Sequence, residues 1–340
     1  MFPVTKRLGS LFACVLMAVP SYETAFQDTR APSLDDYLAL VADYRGGRFA
    51  GAARALSGWS AGAVQEVREE LRSGPPTAIQ LEAAAMLHTE VVLLGYPEKS
   101  LHLDTARAYL GQIEPEARRR SFQRRWFLAL GYFFQRGLRL GDARVLFETG
   151  LDVLPEDLEM RLALGTVEET AGWMYRDESL VKRAEKHYRH ALESQPGLPE
   201  AQVRLGRVLA LRGRKKDALV SLESALEETD DLTLRLIAHL VVGDLHRKDA
   251  DFTRAVASYR AAEAIDPGCQ STAVALSHAL HQAGDWSGSR RVLTRFFGRG
   301  EGSSRNRNAE GGHDPWWAYV LGHSDRADSM VHEMREAVRK

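Results

Sequence analysis

Beyond residue 30 the apolar positions recur every three to four residues, and no run of strict apolar–polar alternation stands out. The pattern predicts helices throughout. It also repeats. Leu130-Gly131, Ala143, Phe147, Gly150 and Pro155 share their mutual spacing with Gly243, Ala255, Tyr259, Ala262 and Pro267. Gly206, Ala218, Leu222 and Ala225 follow the same spacing, and Ser277, Ser289, Leu293 and Phe296 follow it more loosely. A further set, Gly165, Ala184, Tyr188, Ala191 and Pro196, fits once seven extra residues are allowed within it. From Leu236 to Gln270 the register advances by 34 residues, the period of a helix–turn–helix repeat. Units are placed at 124–157, 158–198, 199–235, 236–269 and 270 to about 300. A small residue where two helices cross lets their backbones approach, and large residues fill the space beside the crossing. Proline after the second helix lacks an N–H and clashes with the preceding turn, so the helix stops there.

These residues resemble the tetratricopeptide repeat family, with its small residues at positions 8, 20 and 27, large ones at 4, 7, 11 and 24, and proline often at 32. The likeness covers 124–297 clearly and 33–66 more weakly, through Gly47, Phe49, Ala52 and Leu56. Residues 77–121 read as two more helices without a signature. The resemblance implies an all-α, right-handed superhelical solenoid of antiparallel helix pairs, whose inner helices line a concave groove. The family's groove positions fall here on Tyr132, Gln135 and Arg136, on Thr166 and Glu169, on Arg207, on Asp244, Arg247 and Lys248, and on His278 and His281. The asparagine of the family's carboxylate-clamp members is missing, so that clamp is not implied. The surface leans basic at Arg207, Arg247 and Lys248, which suits a peptide of some acidic character.

Three segments fall outside the repeats. Lys6 and Arg7 precede an apolar run from Leu8 to Val19, then Pro20 and Ser21. That order reads as a secretory signal peptide over 1–25, cleaved after Ser21 or Ala25. The run of twelve residues is short beside the ~20 that span a bilayer as a helix, so the mature chain is expected to lack an integral span. Lipid attachment at Cys14 is disfavoured by the bulky Phe12. The chain is therefore expected to be exported, to the periplasm or beyond. Residues 301–313, rich in Gly, Ser, Asn and Arg, read as a linker. Asp314-Pro315 then opens a C-terminal helical segment, 314–340, expected either to cap the last repeat or to dock on another subunit. The extra residues around Ala171–Arg176 read either as a protruding loop or as a lengthened helix whose Trp173 and Tyr175 cover a neighbour.

Composition narrows the function. The formal charge of −1 across 340 residues argues against a nucleic-acid partner. Two cysteines, Cys14 and Cys269, are too few for a disulfide scaffold or a Cys-rich metal site. Gly58-Trp59-Ser60-Ala61-Gly62 matches G-x-S-x-G, but it follows an Ala-rich helical stretch where that motif needs a strand, so it reads as an interhelical turn. The i, i+3 pairs His187/His190 and His278/His281 lack further ligands, and the Arg118–Arg125 cluster reads as a solvated face. No cofactor is expected and no enzyme is implied. The reading is a non-catalytic scaffold that holds a protein or peptide in its groove. The alternative is a constitutive accessory subunit packed through its C-terminal helix.

Overall fold

A computed structural model describes residues 31–73, 76–297, 314–322 and 326–340. The expected signal peptide and linker lie outside these residues. Every element among the described residues is a helix. The N-terminal region contains α1 (Leu34–Arg45), α2 (Phe49–Ser57), α3 (Ala61–Ser73), α4 (Ala78–Leu93) and α5 (Lys99–Leu110). Five hairpins follow. They are α6 (Glu116–Arg136) with α7 (Leu140–Val153), α8 (Leu158–Tyr175) with α9 (Glu178–Ser194), α10 (Pro199–Leu211) with α11 (Lys215–Glu228), α12 (Leu232–Lys248) with α13 (Phe252–Ile265), and α14 (Gln270–Gln282) with α15 (Trp286–Phe297). Hairpin partners pack most closely on each other and consecutive hairpins pack together, so the array is the expected all-α solenoid of helix pairs.

The repeat residues do what their sizes suggest, with one refinement. The small residue on the inner helix faces a large residue on the outer helix, sixteen positions later in three of the units and at Tyr188 for Gly165 in the lengthened one. A Cβ at Gly131 would land in the Phe147 ring, one at Gly206 in Leu222, and one at Gly243 in the Tyr259 ring. The second small position, Ala143, Ala184, Ala218 and Ala255, is fully buried beside each crossing. In the loosest unit both small positions are serines, and their hydroxyls bond each other at 2.9 Å (Ser277–Ser289). The turn after each inner helix needs a left-handed residue at a fixed register. Gly213 and Gly284 supply it without strain, whereas Leu138 (φ 55°) and Ala250 (φ 57°) adopt it with a side chain.

One feature differs from the sequence expectation, and a second decides between two that the sequence left open. The helix of the first unit starts at Glu116, not near 124, because Glu116–Arg120 is a good helix start carrying its own i, i+4 ion pair (2.7 Å). The seven extra residues of the 158–198 unit form no loop. They lengthen both helices, to 18 and 17 residues, and the chain turns at Arg176 with Asp177 capping the outer one.

A larger correction concerns the C-terminal segment, which does not shield the last hairpin. It forms α16 (Pro315–Val320) and α17 (Arg326–Arg339) and runs back along the inner face. Asp314 accepts the Ser271 amide at 2.7 Å, α16 packs on α12, and α17 packs on α6, α4 and α1. The cause is visible in α17 itself. Ala327, Val331, Met334 and Val338 form one stripe, each no more than 6% exposed, against the apolar inner surface of the N-terminal half. The last hairpin keeps a bare edge, with Trp286 70% and Phe297 63% exposed.

The crossing geometry yields a direct test. Gly131→Ala forces a methyl into Phe147 and is expected to lose about 1–3 kcal/mol. Gly141→Ala, at an open site on α7, is expected to gain about 0.5–1 kcal/mol from helix propensity. Urea unfolding of the two variants reads the difference, and equal effects would refute the crossing argument.

Candidate partner-binding groove

At the centre of the groove lies a carboxylate with no access to solvent. Glu169, on α8, accepts the Tyr188 hydroxyl from α9 at 2.7 Å and Arg204 Nη1 from α10 at 3.2 Å, and it pairs with Arg207 one turn further along α10. Both arginines are about 95% buried. Burial first, and the carboxylate second, push the Tyr188 hydroxyl above its usual range. Burial works against the Arg204 charge, but Tyr319, Tyr188 and Glu169 hold its ionisation above normal. Removing one partner from such a cluster typically costs about 3–5 kcal/mol, because the remaining charge is left buried and unpaired.

The same cluster holds the C-terminal segment. The Arg204 guanidinium sits 3.9 Å over the Tyr319 ring, and its Nη1 reaches the Tyr319 carbonyl at 3.4 Å. Thr170 Oγ1 donates to the Val320 carbonyl at 3.0 Å, and Trp316 lies over Arg207 at 5.9 Å. Further along, Arg136 forks onto Asp328 (2.5 and 3.0 Å) and Arg326 reaches Glu159 at 2.8 Å. Arg335 forks onto the buried Glu90 (2.6 and 2.8 Å), which also accepts the Tyr44 hydroxyl at 3.1 Å.

The expected groove residues therefore divide. Tyr132, Gln135 and Thr166 face a cleft of about 750 Å³ on one side of α16. Tyr132 donates to Glu159 at 3.3 Å, Thr166 bonds its own helix at the Leu162 carbonyl, and Gln135 is buried against Gly322. Arg136, Glu169 and Arg207 are engaged in ion pairs under or beside the arm. Arg207, read from the sequence as an open basic position, is buried, paired with Glu169 on one side and covered by Trp316 of the arm on the other. Asp244, Arg247, Lys248 and His278 do share an open site. They line a cleft of about 600 Å³ on the other side of α16, together with Trp173, Trp316 and Trp317. Asp244 tethers Arg247 at 2.6 Å and Lys248 at 2.8 Å. Those two cations hold its carboxyl below the usual range, against the burial that would raise it. His281 points elsewhere and stacks on Trp286 at 5.9 Å.

Sequence reasoning missed the tryptophans as site residues. Trp173 and Trp317 remain 39% and 48% exposed with ring centroids 6.2 Å apart, although they are distant in sequence. The other candidates found ordinary partners. Ser60 caps α3, accepting the Ala63 amide at 3.2 Å in the turn between α2 and α3. His187 meets the buried Glu168 at 3.4 Å. Arg118 forks onto Glu82 at 2.6 Å, and Arg124 bridges Asp157 and Glu159. Among the described residues no group of three or more His, Cys, Asp or Glu side chains could hold a metal ion. None of the described helices is long and apolar enough to cross a membrane.

A second polar cluster was not foreseen at all. His88 and His102 face each other through Nδ1 at 2.8 Å inside the N-terminal region, and His88 Nε2 meets the Tyr37 hydroxyl at 3.1 Å. Tyr109 packs against both Tyr37 and His88. Burial, with His102 and Arg68 adding to it, holds His88 well below the usual imidazole range. Burial lowers His102 too, against the pull of Glu98.

Neither a protein-family model nor a curated protein matches the chain. Among solved structures it is similar to PilF of Pseudomonas aeruginosa, at 18% identity and a TM-score of 0.47, over 64% of this chain and 99% of that one. It is also similar to TTC0263, a thermophilic TPR protein of Thermus thermophilus, at 20% identity and a TM-score of 0.43, over 58% and 99%. The MamA protein overlaps at 16% identity and a TM-score of 0.42, over 55% and 94%. The class itself is defined by the units described above, which are helical hairpins stacked into a solenoid.

The histidine pair sets an acid limit. In the folded chain both imidazoles decline protons that the unfolded chain takes up below about pH 6.5. Stability should therefore fall as pH drops through that value, by up to about 1.4 kcal/mol per pH unit for each group. His239 and His246, also lowered by burial, act in the same direction. Melting temperatures between about pH 7.5 and 5.5 should show a shallower slope for His88→Gln than for the unaltered chain; an unchanged slope would remove the pair from the account.

Proposed function

We propose that this chain is a non-catalytic scaffold that grips a peptide segment in the cleft between α16 and the inner helices α10, α12 and α14. The observation that carries this is the exposed indole pair Trp173–Trp317 at the rim of an open cleft whose floor holds Leu240, Val241 and Val274. Large rigid aromatics beside an apolar floor are the usual anchors of binding energy, and charges at the rim steer association. Asp244 offsets one of the two cations, so Arg247 and Lys248 leave the rim net positive, with Lys248 more than half exposed. The segment it suits is short, with an aromatic or aliphatic anchor and a flanking carboxylate.

Peptide display on the immobilised full chain tests this. The selected peptides should carry an apolar anchor beside Asp or Glu. Trp317→Ala should weaken them by roughly 30-fold, about 2 kcal/mol. Lys248→Glu should slow association and flatten its salt dependence. Selected peptides that bind the Trp317→Ala and Arg247→Ala chains as well as the unaltered one would refute the cleft.

The N-terminal sequence is what supports a reading of where the scaffold acts. Lys6, Arg7 and the run Leu8–Val19 support export, which points to a bacterial cell envelope as the scaffold's place of work. Protein purified from its native host should begin after Ser21 or Ala25; an N-terminus at Met1 would refute export.

A further inference from the structure

We infer that the inner face of α1, α4 and α6 is a second, separate interaction surface, which α17 occupies in cis, and that the partner it fits is an amphipathic helix carrying the α17 pattern. That pattern is explicit. Ala327, Val331, Met334 and Val338 form the buried stripe, Asp328 meets Arg136, and Arg335, seven residues later, meets Glu90. A competing helix needs apolar side chains at those four spacings, an acidic residue directly after the first and a basic residue directly after the third. The basic residue is the strict requirement. Glu90 is 1% exposed under α17, and Arg335 is the cation that pairs with it there. A helix that covered Glu90 without a cation would bury a bare carboxylate, which is costly.

Three observations indicate that the occupant is replaceable. Its buried stripe is small: one alanine, two valines and one methionine are buried, and Met330 packs beside them half-buried. Two of its three ion pairs to the body lie at the surface on one side, with Asp328 72% and Arg326 66% exposed, and solvent screening leaves such pairs weak, so Arg335 on Glu90 is the one strong polar anchor. The arm also leaves a defect where it crosses. Neither polar atom of the Gln135 side chain finds a partner beneath Gly322, and the Tyr319 hydroxyl is likewise buried without one. Each unmet group has given up its water and received no bond in return, which counts against the arm's present seat. A partner that offers Gln135 a carbonyl or an N–H at that point removes a penalty the arm carries. In cis the arm needs little intrinsic affinity, because its covalent connection makes docking an intramolecular event.

The probe is a fluorescein-labelled peptide of residues 314–340, titrated by anisotropy. The unaltered full chain should bind it weakly, because its own arm competes. The full chain carrying Asp328→Arg and Arg335→Glu, with a mismatched arm over an intact surface, should bind it at least tenfold more tightly. A peptide with the same two reversals should bind neither, and Arg136→Glu in the body should restore binding of the Asp328→Arg peptide. Equal affinity of the probe for both chains would overturn the proposal. Should the mismatched chain fail to fold by circular dichroism, a protease site placed at 303–308 of the otherwise unaltered chain replaces it. After cleavage the probe should displace the cut arm, and a cut arm that never exchanges would overturn replaceability. A stable dimer formed by the intact chain through exchanged arms would instead identify a second copy as the occupant and refute the foreign helix. The cleft is tested with the selected peptides at Arg247 and Lys248, and this surface with the probe at Arg136 and Arg335, so failure here and failure of the cleft are separable.

Discussion

The buried carboxylate of Glu169 organises this molecule. A charge with no solvent access persists only where cations and hydrogen bonds surround it. Here they come from Tyr188 on the paired outer helix and from Arg204 and Arg207 on the next repeat. The cluster therefore fixes the register of α8 against α9 and α10 at one point. It also places a guanidinium face upward into the groove, where Tyr319 lies on it. The path of the C-terminal arm follows from that contact, and the path of the arm divides the groove in two.

That division sets the functional geometry. On one side the arm covers Arg136 and Gln135 and closes over Glu90; on the other it supplies Trp316 and Trp317 as one wall of the open cleft. The groove is thus a composite, built partly by inner helices and partly by the chain's own C-terminus. Carrying groove positions over from a repeat pattern treats it as helices alone, which is why Arg207 read as open while Trp317 was overlooked.

What was legible in the sequence follows the range of the interactions. Gly131, Ala143 and Phe147 announce a crossing because the partners lie within one hairpin, at a spacing that recurs. The hairpin turns at Gly213 and Gly284 are legible for the same reason. The α17 stripe is equally regular, and it says that one face is buried without saying against what. Its partners, Glu90 and Arg136, lie 245 and 192 residues away and belong to no repeat position that pairs with it. The histidine pair is hidden more deeply, since His88 and His102 sit on helices with no repeat signature. Their meeting depends on how α4 packs on α5. The seven extra residues of the second unit were legible as length, and only the packing shows that both helices absorb them.

The arm begins at the last hairpin, where Asp314 is held by the Ser271 amide, and ends on the first helix, where Arg45 donates to the Val338 carbonyl at 3.0 Å. An open solenoid is a spring: each repeat touches only its neighbours, so tension along the axis is borne by one interface after another. A strap from end to end puts a second load path in parallel with that series. Stretching this chain along its axis must strain the arm's contacts on Arg204, Arg136 and Glu90 together with the interfaces between repeats. The curvature of the groove is thereby held by a tension member as well as by helix packing, and release of the arm would make the same array more compliant.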